Sequence, residues 1–125
     1  MGIFCGTDIV EVERVKKAME KRRFVERVYT EKEVEYCDSK KAGKYESYAA
    51  RFAAKEAALK AFGTGMGGSG LSLCDIEVRN NEMGKPEIFL HGQAKDEYER
   101  VMAKGASVSM SHCKEYAVAT VLIEI

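Results

Sequence analysis

The chain has 125 residues, 46% of them hydrophobic and 32% charged, and its 20 Lys and Arg are balanced by 20 Asp and Glu. That length supports one core and not two, so a single domain over 1–125 is expected. Zero net charge argues against a chain built wholesale for nucleic acid. Four scattered cysteines outside any C-x-x-C pair argue against a structural zinc site, and no apolar run approaches a membrane span. With no leader-like start, a soluble, reducing, cytoplasmic setting is expected.

The first ten residues are apolar and rich in β-formers, which predicts a short strand ending at Asp8. From Glu11 to about Arg27 the turn spacing of Val12, Val15, Met19 and Phe24 predicts one helix. Between Arg14 and Arg27 it carries seven basic and two acidic residues, a local charge of +5 on a neutral chain, as a surface for an acidic partner would. A solvated helix face is the alternative. Thr30 followed by Glu33 is a capping-box pattern and starts a second helix from Glu31 to about Ser39. Residues 39–44 are expected to be a polar loop.

The strongest helix signal runs from Ser47 to Phe62, where seven of the thirteen residues from Ala49 to Ala61 are alanine and Gly63 stands at the C-cap position. Glu56 borders its apolar stripe and needs a partner there. Lys60 lies one turn on, on the same face. A glycine-rich loop follows over 63–70. Strands are predicted at 71–79 and 87–91 with a turn between them, then a helix from Gln93 to Lys104, then two antiparallel strands at 107–112 and 116–125. This order predicts an α+β fold with an antiparallel sheet.

Gly63 to Gly68 satisfies G-x-G-x-x-G, but it follows a helix and precedes a strand, the reverse of a dinucleotide fingerprint. Its backbone could cradle a phosphate or simply connect. Asp8 and Glu56 are candidate magnesium ligands, since that ion is commonly held by one or two carboxylates with water and phosphate oxygens. Alternatively, Glu56 pairs with Lys60 or Arg51. Ser109 and Ser111 share one strand face and His112 takes the other, which makes a Ser–His relay geometrically poor.

Together, GTDIVEVERV at 6–15, RFAAKEAALKAFGTG at 51–65, GKP at 84–86 and SMSHCKEYAVA at 109–119 resemble the holo-acyl-carrier-protein synthases, the small bacterial 4′-phosphopantetheinyl transferases. The motifs stand in family order over essentially the whole chain, and the F-x-x-K-E-A-x-x-K-A segment is highly specific. The resemblance implies a cytoplasmic enzyme that moves phosphopantetheine from coenzyme A to a serine of apo-acyl carrier protein for fatty acid biosynthesis, releasing adenosine 3′,5′-bisphosphate. It implies an α+β fold in a homotrimer with sites between subunits, and no nucleic-acid or membrane partner. Asp8 and Glu56 correspond to the magnesium ligands, and with Lys60 they form the expected catalytic set. Arg51, Lys55, Lys60, Gly63, Thr64, Gly65, Lys85, Pro86 and His112 are the expected coenzyme contacts. Arg14, Lys21 and Arg22 are the expected docking residues for the carrier protein. Two other readings compete: a non-enzymatic module whose basic helix binds RNA or an acidic protein, and a nucleotide hydrolase using the same metal pair.

Overall fold

The computed structural model describes residues 2–63 and 71–125. Strand β1 (Ile3–Glu11) leads into three short helices, α1 (Val12–Ala18), α2 (Arg22–Val28) and α3 (Glu31–Asp38), and then into the long helix α4 (Lys44–Phe62). A hairpin, β2 (Ile76–Asn80) and β3 (Pro86–Leu90), is followed by α5 (Gly92–Arg100) and the pair β4 (Gly105–His112) and β5 (Tyr116–Glu124). The strands form two antiparallel sheets, β1-β5-β4 and β2-β3, where one had been expected. In the larger sheet the last strand is central: Ile3 faces Glu124 and Glu11 faces Tyr116 across the ladder.

Pairing with β5 carries β1 past Asp8 to Glu11, so Asp8 stands within the strand and not at its end. The expected single helix over 11–27 breaks at residues 19–21. Lys17 and Lys21 would repel at i, i+4, and the turn lets both Val15 and Val28 enter the same core. The capping box forms as the sequence predicts: Glu33 N donates to Thr30 Oγ1 at 3.2 Å, and Thr30 N donates to Glu33 Oε1 at 2.9 Å. Helix α4 begins three residues early, directly after a 3₁₀ turn at Lys41–Gly43, and ends at Gly63 with φ +76°. The strand expected at 71–79 is regular only from Ile76, after a 3₁₀ turn at Leu73–Asp75. Helix α5 stops at Arg100, short of the expected Lys104.

Helix α4 is the spine. Ala53, Ala57 and Ala61 pack on the inner face of the large sheet against Val121 and Ile123, while Tyr48 and Ala49 face α1–α3. The approach to β1 is close. A Cβ on Gly6 would lie 2.0 Å from Ala57 O and 2.7 Å from Ala61 N. Gly6→Ala is therefore expected to push α4 off the strand and destabilise the protein by about 3 kcal/mol, at the upper end for overpacking. A calorimetric midpoint unchanged by the substitution would contradict this.

Among the described residues, nothing packs over the outer face of the large sheet. Ile3, Ile9 and Leu122 are 68%, 65% and 42% exposed, and Tyr116 is 45% exposed beside them. Only the inner face meets the core.

Candidate active site

The close contact at Gly6 brings three chemical groups together. Asp8 lies on the face of β1 turned to α4, and Glu56 and Lys60 are one turn apart on the helix edge above it. Lys60 Nζ donates to Asp8 Oδ1 and to the Thr7 carbonyl, each at 3.0 Å. Glu56 is half-buried in the same cleft, a volume of about 320 Å³ that Asp8 also lines. The alternative of a Glu56 pair with Lys60 or Arg51 is not formed. Lys60 turns to Asp8, Arg51 turns to Asn80, and Glu56 makes no ion pair within 4 Å among the described residues. Burial, and then the Asp8 charge, push the Glu56 carboxyl above its usual range, with Lys60 opposing.

An under-neutralised carboxylate beside a second one is a site that favours a cation. Among the described residues no group of three His, Cys, Asp or Glu gathers to make an all-protein metal cage. Two carboxylates opening on a cleft suit magnesium, which keeps positions for water and phosphate oxygens. The residues present therefore fit that ion.

Arg14 lines the same cleft, beside Phe24 and Phe52. Lys21 and Arg22 are exposed at the break between α1 and α2, and Arg22 shares its charge with Glu26 at 3.5 Å. The basic face thus borders the two carboxylates.

A second cleft of about 380 Å³ opens on another side of α4 and is lined by Arg51, Ser47, Tyr36, Gly84, Pro86 and His112 among others. Arg51 is buried, its guanidinium stacked 4.4 Å from the centre of the Tyr36 ring. It donates to Ser47 Oγ at 3.2 Å and to Asn80 Oδ1, and its buried Nε has no partner among the described residues. Three of the expected coenzyme contacts, Arg51, Pro86 and His112, therefore converge. Lys85 is exposed and lines a neighbouring groove between β3 and β4, where Pro86 joins it. Gly63 serves as the left-handed cap of α4, and Thr64 and Gly65 lie outside the described residues.

Lys55 corrects an expectation. It is fully buried, and its ammonium donates to Glu33 Oε1 at 2.7 Å, to Leu73 O at 3.1 Å and to Ile76 O. With all three N–H groups used inside the protein it has none left for a coenzyme phosphate. Burial lowers its pKa, and the Glu33 carboxylate works against that shift.

Sequence reasoning missed that Lys55 partner, and also Tyr36, Asn80 and Glu77. Glu77 is a buried carboxylate holding Thr30 Oγ1 at 2.7 Å, His91 Nε2 at 2.9 Å and Arg79 Nη2 at 2.8 Å. Burial alone would raise its pKa, but these bonds outweigh it and hold the group at about 2. The capping-box Glu33 was the one available signal, and it spoke only for a helix start.

Residues 4–121 match the model of the 4′-phosphopantetheinyl transferase superfamily. The chain is 52% identical to a holo-[acyl-carrier-protein] synthase of Ruminiclostridium cellulolyticum over 100% of its own length and 94% of the relative's. Its fold is similar to that of the Helicobacter pylori holo-[acyl-carrier-protein] synthase in complex with coenzyme A, with a TM-score of 0.82 and 32% identity over 96% of this chain and 99% of that one. The Bacillus anthracis enzyme in complex with CoA (3′,5′-ADP) is similar at 0.78 and 39% identity, over 97% and 95% of the two chains. The conjunction of Asp8, Glu56 and Lys60 on β1 and α4 thus stands in a chain that belongs to the 4′-phosphopantetheinyl transferase superfamily and, within it, to the holo-[acyl-carrier-protein] synthases.

Proposed function

We propose that this chain transfers the 4′-phosphopantetheinyl group of coenzyme A to a serine hydroxyl of an apo-acyl carrier protein, with magnesium, releasing adenosine 3′,5′-bisphosphate and supplying carriers for fatty acid synthesis. The observation that carries the reading is the meeting of Asp8 and Glu56 in one cleft, with Lys60 bonded to Asp8. The serine oxygen forms a new bond to the β-phosphorus while the bond from that phosphorus to the bridging oxygen breaks, and the adenosine bisphosphate leaves with the electron pair. Asp8 and Glu56 would hold the magnesium, which when bound neutralises charge on the pyrophosphate oxygens. Glu56 forms no ion pair among the described residues, whereas Asp8 is paired with Lys60, so Glu56 is the better placed of the two to receive the serine proton. Lys60, with 55% of its side chain exposed on a flexible stem, can turn from Asp8 to the departing phosphate.

Arg51 and His112 would hold the coenzyme's phosphates and adenine, with Pro86, Lys85 and the turn after Gly63 lining its path. On α4, Arg51 and Glu56 are five residues apart, about 140° around the helix, and they line separate clefts. A single extended ligand would reach both sets most simply if they came from two neighbouring copies. The uncovered sheet face carrying Ile3, Ile9 and Leu122 offers a surface for that contact. The family resemblance would make those copies the subunits of a homotrimer with sites between them, acting in the cytoplasm. No helix among the described residues is long and apolar enough to cross a membrane.

Arg14, Lys21 and Arg22 would receive the acidic carrier protein. Arg14→Glu is expected to raise the KM for the carrier about tenfold, the scale of a like-charge contact, with kcat and the KM for coenzyme A little changed. A rise confined to the coenzyme KM would contradict the docking assignment.

The function is tested by intact-mass measurement of apo-acyl carrier protein after incubation with this protein, coenzyme A and magnesium. A gain of one phosphopantetheine, lost with chelator, is the expected result. Adenosine bisphosphate released without carrier protein would instead indicate a hydrolase.

A further inference from the structure

Between the large buried side chains Tyr48 near its start and Leu59 and Phe62 near its end, the inward surface of α4 is mostly alanine, with seven buried between Ala49 and Ala61. Alanine fills space but gives a helix few ridges to lock into its neighbours, so packing alone sets its rotation weakly. Yet small rotations matter here. With side-chain tips about 5–6 Å from the helix axis, a turn of roughly 10° moves the Glu56 carboxyl by about 1 Å relative to Asp8.

Besides Arg51 and Tyr48 nearer its start, a fully buried charge beside Glu56 ties the helix down in rotation and in height. Lys55, next to Glu56, binds α3 through Glu33, the 3₁₀ turn before β2 through the Leu73 carbonyl and the first residue of β2 through the Ile76 carbonyl. Glu33 is equally fixed, accepting from Thr30 N at 2.9 Å and from Val78 N at 2.7 Å. Its partner Thr30 continues the chain to Glu77, which is bound at the surface by Arg79 and His91. Every donor on Lys55 and both oxygens of Glu33 are used, in directions set by three different elements.

We propose that Glu33 and Lys55 are positioning residues, a buried clamp that sets the rotation of α4 so that Glu56 stands opposite Asp8. Buried ion pairs often contribute little net stability over apolar replacements, and specifying one arrangement is a role they are known to fill. Both residues of the clamp are buried and bonded inside the protein, which leaves them no group to offer substrate or coenzyme. The inference rests on the transfer reading above for its activity readout, and on cation binding for one that is independent of it.

The test is the double substitution Glu33→Gln/Lys55→Met, which removes both charges while the amide oxygen keeps one backbone donor satisfied. In the folded double variant, Mn²⁺ affinity measured by calorimetry should fall 10–100-fold and kcat should fall similarly, the scale seen when groups that orient a metal ligand are removed. The KM for carrier protein should stay within twofold, because the docking surface lies elsewhere. A folded double variant that binds Mn²⁺ as tightly as the parent overturns the proposal, whether or not the parent transfers phosphopantetheine. Absence of transfer by the parent counts against the transfer reading alone. Should the double variant not fold, Glu33→Asp decides, since it keeps the charge and shortens its reach by one carbon. A tenfold loss of Mn²⁺ affinity in that folded variant supports the clamp. Parental affinity, or failure to fold, overturns it.

Discussion

Glu56→Gln and, separately, Asp8→Asn are expected to reduce magnesium-dependent transfer by about 10³-fold, the equivalent of roughly 4 kcal/mol of lost charge stabilisation, in proteins that remain folded. The fold should survive because neither carboxylate supports the core. Glu56 has no ion pair among the described residues, and its neutral amide relieves repulsion with Asp8. The Asp8–Lys60 pair is partly exposed, with Lys60 at 55%, so its loss should cost less than about 1 kcal/mol. Turnover would be measured by mass gain on the carrier protein, and folding by circular dichroism. A folded variant with parental turnover would remove that residue from the site.

Lys55→Met has the opposite profile. It takes the cation from a fully buried Glu33 carboxylate and leaves the Leu73 and Ile76 carbonyls without their donor. Breaking one side of a buried pair typically costs about 3–5 kcal/mol, a large share of a small domain's stability. Urea unfolding at unchanged m-value should show that loss. A loss below about 1 kcal/mol would mean that Glu33 finds another partner. The single and double substitutions together form a cycle: much of the single variant's loss should return when Glu33 is neutralised as well.

What could be seen in the sequence was what acts locally. The Thr30–Glu33 box, the alanine helix and its Gly63 cap depend on neighbours within a few residues, and each formed where expected apart from three extra residues at the start of the helix. The juxtaposition of Asp8 with Glu56 was only weakly legible from residue types and became specific through family resemblance, because it depends on a backbone approach at Gly6 between segments about 50 residues apart. The extension of β1 past Asp8 depends on β5, at the other end of the chain. Lys55 was expected among the coenzyme contacts, since its burial depends on α3 and β2 and its partner Glu33 looked complete as a helix cap. Likewise the break at residues 19–21 carries no glycine or proline. It arises because two sets of apolar side chains must reach one core.

The placement of β5 at the centre of the large sheet also governs the order in which the molecule can form. About 100 residues separate the facing positions Glu11 and Tyr116, and pairings of such long sequence separation slow folding. At roughly 5–20 residues per second of synthesis, β1 waits about 5–20 s for the strand that pairs with it. During that interval Phe4, Ile9 and Val10 have no ladder to join, and the emerging chain has an unpaired apolar edge of the kind that chaperones hold. A nascent chain stopped before Tyr116 would carry Glu56 on a segment able to form helix, but no strand to fix Asp8 opposite it.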